Sequence, residues 1–427
     1  MKAYRGNILF TPTHAHFEVI ANGYVLVNDM GIIEGVYPSD HLPYSDSIEI
    51  IDFGDKLLIP AMNDMHVHAP QYNNMGVAMD MELIPWLNTY TFPEESKFCD
   101  EEYALRVYRN FVSELCRQGT MRASVFSTIH LPATKCLAKI FADAGMGALI
   151  GLVGMDRHSP EGLKNTTQSW KEDTETLIQY VSQFPLVNSI ITPRFLPSCT
   201  PKMLQTMGEI TQAYNLPVQS HLSENKKEIQ WVRELEPQAT CYGDAYNRYG
   251  LFGKTPTLMA HCCYSDAEEL QLLRDNGVYM VHCPTSNCNL ASGIAPIRRF
   301  LQAGIPVVLG SDIAAGHHLS IFRVMQYAVQ MSKLQYALTD GKYPFLTLSE
   351  VFYMATKAGG TFFGKVGSFE KGYAFDALVI DDRCLSPDTL ITSSLIHRLE
   401  RFIYVGDDRH IAYRFCQGKE ITISYYR

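Results

Sequence analysis

The chain has 427 residues, of which 46% are hydrophobic and 19% charged, and its formal net charge is −9 at pH 7. This composition is typical of a globular protein with one large and one smaller domain, and the absence of a Lys/Arg-rich run argues against nucleic acid or an anionic membrane surface as a partner. Because no uninterrupted apolar stretch is long enough to span a bilayer, we expect a cytoplasmic protein. Eleven cysteines without a C-x-x-C pair predict reduced, mostly buried thiols.

The two ends of the chain carry the pattern of short β-strands. From residue 1 to 58, strand-like runs alternate with turn residues, as in YVLVNDMGIIEGVYP, which predicts antiparallel sheet. The same pattern returns after about residue 365 in GSFEKGYAFDALVIDD and HIAYRFCQGKEITISYY. We therefore expect residues 1–58 and 366–427 to form one small discontinuous β-sandwich domain.

Residues 59–365 alternate between apolar strand segments and amphipathic helices. Helices are predicted over 101–119, 201–214, 265–277 and 295–304, each ending near Gly, Asn or Pro. The eight strand segments are LLIPAMNDMHVH, TMRASVFST, GALIGLVGMD, VNSIITPRF, NLPVQSHLSE, TPTLMAHCC, VYMVHCPTS and IPVVLGSDI. Eight β/α units predict an α/β protein with a TIM-like (β/α)8 barrel.

The first of these strand segments ends in two histidines on alternate positions. Since alternate side chains of a strand share a face, Asp64, His66 and His68 are expected to point the same way. The carboxyl-terminal end of barrel strands is where such barrels place their active sites. Two histidines that merely cap a strand and bond to loop carbonyls explain this pattern equally well.

Other strand segments also end in imidazole or carboxylate groups, namely His221 with Glu224, His261, and Asp312. Several histidines with one carboxylate form a ligand set suited to Zn²⁺ or Fe²⁺, so the convergence predicts a catalytic divalent metal. His282 ends a strand as well. We expect it to orient neighbouring side chains, and a purely structural role fits its position as well.

The motif PAMNDMHVH, residues 60–68, resembles the first-strand signature of the amidohydrolase superfamily. With His221, His261 and Asp312 on later strands, the resemblance covers nearly the whole predicted barrel. Further stretches are similar to the guanine deaminase branch of that superfamily: HVHAPQY, WLNTYTFPEE, PRF, QSHLSEN, MAHCCY, VHCPTSN and LGSDIAAG.

The resemblance implies hydrolytic removal of the 2-amino group of guanine, giving xanthine and ammonia, in a homodimer. It implies one zinc per subunit, bound by His66, His68, His221 and Asp312. It also implies that Glu224 is the proton shuttle and that His261 contacts the attacking water, with Asp312 accepting a proton. Judged from the residues alone, Glu224 also fits a carboxylate at the start of the helical pattern SENKKEIQWVREL.

Guanine presents two adjacent acceptors, O6 and N7, that an arginine fork can bind. Arg194 ends the fourth strand segment and is the predicted fork, and Gln71 offers both a donor and an acceptor to another edge of the base. Phe195 or Trp86 is expected to pack on its face beside His221 and Glu224, although core packing explains Trp86 equally well. The long connection 69–98 is expected to cover the base.

Two alternatives remain open at this point. The first is the same chemistry on another aminated heterocycle, such as a different purine, a pyrimidine or a triazine. The second is a non-catalytic barrel that serves as a scaffold, which predicts gaps in the ligand set. The sequence shows no such gap.

Overall fold

The computed structural model describes residues 1–41, 48–385 and 394–422. Residues 423–426, which end the last predicted strand segment, lie outside this range. In chain order the strands are β1 (Lys2–Thr13), β2 (His16–Val27), β3 (Ile33–Tyr37), β4 (Glu49–Pro60), β5 (Met62–His68), β6 (Thr120–Phe126), β7 (Gly147–Gly151), β8 (Val153–Gly154), β9 (Val187–Ser189), β10 (Thr192–Pro193), β11 (Val218–Leu222), β12 (Thr257–His261), β13 (Tyr279–His282), β14 (Val307–Leu309), β15 (Ala377–Ile380), β16 (Ile411–Cys416) and β17 (Lys419–Glu420).

The α-helices of six or more residues are Glu101–Arg117, Leu131–Asp143, Thr167–Val181, Pro201–Tyr214, Lys226–Leu235, Tyr242–Asn247, Ala267–Asp275, Pro284–Asn289, Ile297–Gln302, Ile321–Leu338, Leu348–Tyr353 and Leu395–Val405. A helix forms within each of the four predicted ranges, 101–119, 201–214, 265–277 and 295–304. Among the described residues, none of the helices is both long and apolar enough to cross a membrane.

Strands from the two chain ends lie in one seven-stranded sheet with the order β17-β16-β15-β4-β1-β2-β3. Strand β4 joins the strands of the N-terminal part to those of the C-terminal part, because it pairs in parallel with β1 and antiparallel with β15. Aromatic and aliphatic side chains from both ends, including Tyr4, Phe53, Phe375 and Phe415, share one buried cluster against this sheet.

The helix Leu395–Val405 lies between the two strand-like stretches predicted after residue 365, in a part of the chain for which the sequence analysis made no prediction. Its buried residues Leu399, Phe402 and Ile403 follow helical spacing on one face. The ring of Phe402 packs edge-on against Phe322 of the helix Ile321–Leu338, with 4.9 Å between ring centroids.

The eight strand segments predicted between residues 57 and 313 all contain strands, and these strands pair in parallel. They form two four-stranded sheets, β5-β6-β7-β9 and β11-β12-β13-β14, and the pair β8-β10. A bridge between Ile191 and Val218 links the two larger sheets. At the other side, the N–H of Asp312 donates to the carbonyl of His66 over 2.8 Å, so the end of the last strand lies against the first.

A buried ion pair ties the sheet of the chain ends to strand β6. Arg122 Nε donates to Asp376 Oδ2 over 2.6 Å, and Arg122 Nη2 donates to Asp376 Oδ1 over 3.3 Å. The same carboxylate accepts the backbone N–H of Gln417 over 2.7 Å. Both charged side chains are buried, so each depends on the other for compensation.

We predict that Asp376→Asn lowers the free energy of unfolding by about 3–5 kcal/mol, because it leaves the Arg122 charge buried without its partner. Urea unfolding measures the loss. The matched control is Asp143→Asn, whose partner Lys139 lies 2.8 Å away in an exposed pair; it should cost less than about 1 kcal/mol. Equal, small losses in both variants would show that Asp376 does not hold the two parts together.

Candidate active site

Imidazole and carboxylate groups from four strand ends meet at one place. His66 and His68 lie on β5, His221 on β11, and His261 is the last residue of β12, while Asp312 follows β14. One ligand atom from each of four side chains lies within 4.8 Å of the other three, and these are His66, His221, His261 and Asp312. The convergence predicted from the sequence therefore exists in the fold.

The nitrogens of this cluster face one another. His68 Nε2 lies 3.3 Å from both His66 Nε2 and His221 Nε2. Asp312 Oδ1 lies 3.3 Å from His66 Nε2 and 3.4 Å from His68 Nε2. His261 Nε2 is buried without a hydrogen-bond partner among the described residues. Lone pairs that face one another in a buried site are satisfied together by a divalent cation, so these residues fit a metal.

Burial sets the protonation of three of the histidines, and the histidines set that of Asp312. It lowers the pKa of His66, and it lowers the pKa values of His68 and His221 well below the usual range, so these imidazoles are neutral. Burial opposes ionisation of Asp312, but the neighbouring histidines outweigh it and hold the pKa of that carboxyl far below its ordinary value. Neutral imidazoles with one carboxylate are the protonation states that a metal needs.

Two of the histidines are oriented by hydrogen bonds behind them. His221 Nδ1 lies 2.5 Å from the carbonyl oxygen of Arg194, and His261 Nδ1 lies 2.9 Å from Asn287 Oδ1. Because a carbonyl oxygen only accepts, each Nδ1 carries the proton and each Nε2 presents its lone pair to the cluster. Asn287 lies in the VHCPTSN stretch, but the sequence analysis gave it no role.

Asp64 lies outside the cluster, so the expectation that it points with His66 and His68 is wrong. A register shift between Asp64 and Val67 in the pairing with β6 breaks the alternation of side chains along β5. The Asp64 carboxylate instead accepts the Ser311 N–H over 3.0 Å and the Ser311 hydroxyl over 2.5 Å. It thereby fixes the residue that precedes Asp312.

A cavity of about 480 Å³, including its open mouth, lies over the cluster. Its wall is formed by His68, Gln71, Leu83, Trp86, Leu87, Arg194, Phe195, His221, Glu224, Glu228, His261, Leu290, Asp312 and Ala315. Apart from His66, which lies in the cluster, every residue that the sequence analysis assigned to the site lines this cavity.

Glu224 is buried beside His261. Its Oε1 accepts the Ser292 hydroxyl over 2.9 Å, and its Oε2 lies 3.7 Å from His261 Nε2. Burial raises the pKa of this carboxyl. The residue that caps the helix Lys226–Leu235 is Asn225, whose side chain accepts the Lys227 N–H over 2.9 Å. The capping alternative for Glu224 is therefore wrong.

Arg194 and Gln71 share one buried partner that the sequence analysis missed. Arg194 Nη1 donates to Glu95 Oε2 over 2.5 Å, and Gln71 Nε2 donates to Glu95 Oε1 over 2.8 Å. Gln71 Oε1 accepts the Ala314 N–H over 3.0 Å. These two hydrogen bonds leave one side-chain N–H and one lone pair of Oε1 on Gln71 for the predicted contact with a base.

The remaining aromatic and histidine predictions concern Phe195, Trp86 and His282. Trp86 is buried and donates its indole N–H to the Val77 carbonyl over 3.2 Å, which agrees with core packing. It also lines the cavity, which agrees with a contact to the base. Phe195 lines the cavity as well. His282 is buried outside the cavity wall and its Nδ1 has no hydrogen-bond partner among the described residues.

The profile described as "Amidohydrolase family" matches residues 57–421, which spans both sheets that carry the site. The chain belongs to the amidohydrolase family. Among curated relatives, the guanine deaminase of Dictyostelium discoideum is 35% identical, over 99% of this chain and 98% of its own length. The guanine deaminase of Escherichia coli K12 is 31% identical, over 98% and 97% respectively.

Solved structures of deaminases are also similar to this amidohydrolase. The guanine deaminase of C. acetobutylicum with guanine bound in its active site has a TM-score of 0.95 and 48% identity, covering 99% of this chain and 100% of that one. An adenosine deaminase of Xanthomonas campestris with bound zinc has a TM-score of 0.86 and 21% identity, covering 98% and 92%, and shows the fold alone. The fold is thus of the TIM-barrel type of amidohydrolases.

Close packing behind His66 depends on Gly310. A Cβ atom at this position would lie 2.7 Å from His66 Cβ, 3.0 Å from Val281 Cγ1 and 3.1 Å from Cys283 Sγ. A larger residue would therefore push strand β14 away from β5 and move the ligand-bearing segments of this amidohydrolase apart.

We predict that Gly310→Ala destabilises the protein by about 1–3 kcal/mol, the cost of overpacking a core, and lowers its bound metal. Urea unfolding and elemental analysis measure the two effects. Gly162→Ala is the matched control, because the nearest atom to a Cβ there is 4.0 Å away. If both variants keep normal stability and metal content, the close packing of Gly310 against His66 is not required.

Proposed function

We propose that this protein hydrolyses guanine to xanthine and ammonia. The observation that carries the proposal is a single cavity whose wall combines groups of the imidazole–carboxylate cluster and Glu224 with Arg194, Gln71 and Phe195. The name and the bound guanine of the most similar solved structure cited above support the same substrate. The scaffold alternative is disfavoured because the predicted ligand groups all meet.

We assign one zinc per subunit to His66, His68, His221 and Asp312. The Nε2 atom of His68 supports its place in this set, since it lies within 3.4 Å of a ligand atom on each of the other three. Zinc in such a site lowers the pKa of a bound water from 15.7 to about 7 and so makes hydroxide available at neutral pH. His261 is assigned to contact the attacking water, since its Nε2 lies 3.7 Å from both Glu224 and Asp312.

Glu224 acts as the proton shuttle. The hydrogen bond from Ser292 holds Oε1 and leaves Oε2 facing His261. Glu224 takes a proton from the attacking water and delivers it to the ring nitrogen N3, while the C2–O bond forms. Asp312 accepts the second proton of the water and passes it to the 2-amino group, so the C2–N bond breaks and ammonia leaves with xanthine as the other product.

Arg194 and Gln71 hold the base against these groups. The N–H groups of Arg194 that do not bind Glu95 are available to O6 and N7, the two adjacent acceptors of guanine. Phe195 and Trp86 pack against the ring faces, with His221 and Glu224 at the reacting edge. Leu83, Trp86 and Leu87 from the connection 69–98 cover the cavity.

The architecture around the site is proposed to be a closed (β/α)8 barrel over residues 59–365. The Ile191–Val218 bridge and the hydrogen bonds from His68 to Ile313 and from Asp312 to His66 support closure. Residues 1–58 and 366–427 are proposed to form the β-sandwich domain, supported by the shared cluster of aromatic side chains and by the mid-strand register shifts of β1.

The compartment and assembly are further parts of the proposal. All eleven cysteines lie among the described residues and are free thiols, which fits a reducing cytoplasm. A homodimer is proposed because the resemblance to guanine deaminases implies one. The reaction places the enzyme in purine catabolism, where guanine is consumed and xanthine is supplied.

A purified-protein assay tests the function. Ammonia release from guanine is followed on the same sample whose metal content is measured, and we expect release of ammonia with about one zinc per chain. Other purines, a pyrimidine and a triazine form the comparison panel. No release from guanine, or faster release from another member of the panel, would overturn the proposal.

We predict that Glu224→Gln keeps its zinc but lowers kcat by about 10²- to 10⁴-fold, since general acid–base catalysis contributes that much. Steady-state kinetics and elemental analysis on one preparation give both values. Normal kcat with normal zinc would mean that Glu224 does not move the proton.

A further inference from the structure

Glu95 lies at the centre of a buried chain of hydrogen bonds beside the cavity. Its two carboxylate oxygens accept from different partners, Oε2 from Arg194 Nη1 over 2.5 Å and Oε1 from Gln71 Nε2 over 2.8 Å. Gln71 continues the chain to the N–H of Ala314, two residues after Asp312. Relative exposures of 2% for Glu95, 5% for Arg194 and 3% for Gln71 exclude competition from bulk solvent.

The same short helix restrains Arg194 on two sides. This helix, Phe92–Glu95, carries Glu95, which binds Arg194 Nη1, and Phe92, whose ring centroid lies 5.1 Å below Arg194 Cζ. The other guanidinium nitrogens make no hydrogen bond to the described residues. These two contacts restrict the directions in which the remaining N–H groups of the planar guanidinium can point.

Charge points to the class of ligand. A buried arginine without a counter-ion would favour a carboxylate or phosphate group in the cavity. Glu95 compensates that charge inside the protein, so the Arg194–Glu95 pair adds no net charge beside the cavity. A neutral base with adjacent acceptors suits this arrangement better than an anion.

We propose that Glu95 is a positioning residue that sets the preference for a neutral 6-oxopurine, acting through Arg194 and Gln71. This inference rests on the proposed function. We give Glu95 no place in the chemical step, because its two carboxylate oxygens bind Arg194 and Gln71 instead of the proton-transfer groups. Its loss should therefore act mainly on binding of the base.

Glu95→Gln tests the proposal. The introduced amide has one oxygen that can accept and one NH2 group that can only donate. Since Arg194 and Gln71 both donate to residue 95, one of them loses its acceptor. We expect kcat/KM for guanine to fall about ten- to a hundredfold, the scale of hydrogen bonds to charged groups, mainly through a higher KM and with unchanged zinc. Activity on 2-aminopurine, which lacks O6, should fall less.

Glu94→Gln is the matched control. Glu94 is the adjacent buried carboxylate, but it bonds to Lys97 over 2.5 Å, to Asn73 over 3.2 Å and to Tyr103, all away from the cavity. It should change kcat/KM for guanine by less than about threefold.

If Glu95→Gln does not fold, Glu95→Asp replaces it. The shorter carboxylate cannot reach both Arg194 and Gln71, so this variant should also raise KM for guanine.

A double-mutant cycle with Arg194→Met separates positioning from general support of the fold. If Glu95 acts partly through Arg194, the double variant Glu95→Gln/Arg194→Met should lose less activity on guanine than the sum of the two single losses. Additive losses, equal losses on guanine and 2-aminopurine, or equal effects of Glu94→Gln and Glu95→Gln would overturn the inference. A wild-type protein without activity on guanine would instead refute the proposed function.

Discussion

The mutual approach of the imidazole nitrogens is the interaction on which the rest of the site depends. His66, His68 and His221 present Nε2 atoms separated by as little as 3.3 Å, and the Asp312 carboxylate lies beside them. Neutral imidazoles do not attract one another through their lone pairs, so a cation at the centre would stabilise this geometry. The residues that we propose for substrate recognition and proton transfer line the cavity over this cluster.

The fold holds this arrangement through local departures from regular structure. The register shift in β5 turns Asp64 toward Ser311, and Gly310 lets β14 approach His66 closely. His261 and Asp312 both have left-handed backbone conformations, with φ of 74° and 51°. Such conformations are costly for residues other than glycine and persist where the surrounding packing fixes them, typically at functional sites.

Periodicity and strand-end chemistry predict a large part of this molecule. The alternation of apolar strands and helices, the HxH pair, His221, His261 and Asp312 are all encoded locally, and the structure brings them together. The orientation of Asp64 was not predictable, because a bulge reverses the face of a strand without a clear sequence mark. Glu95, Asn287 and Ser292 were missed for another reason: each acts on a partner 26 or more positions away, and only the tertiary fold creates those contacts.

X-ray absorption spectroscopy at the zinc edge tests the central claim most directly. The zinc-loaded protein should show only nitrogen and oxygen neighbours at about 2.0–2.2 Å, as expected for histidine and carboxylate ligands. Cys263 and Cys283 are buried, and a Cβ atom at Gly310 would lie 3.1 Å from Cys283 Sγ, so thiolate ligation is the relevant competitor. A sulfur shell at about 2.3 Å, the Zn–S distance, would contradict the histidine–aspartate centre on which this account rests.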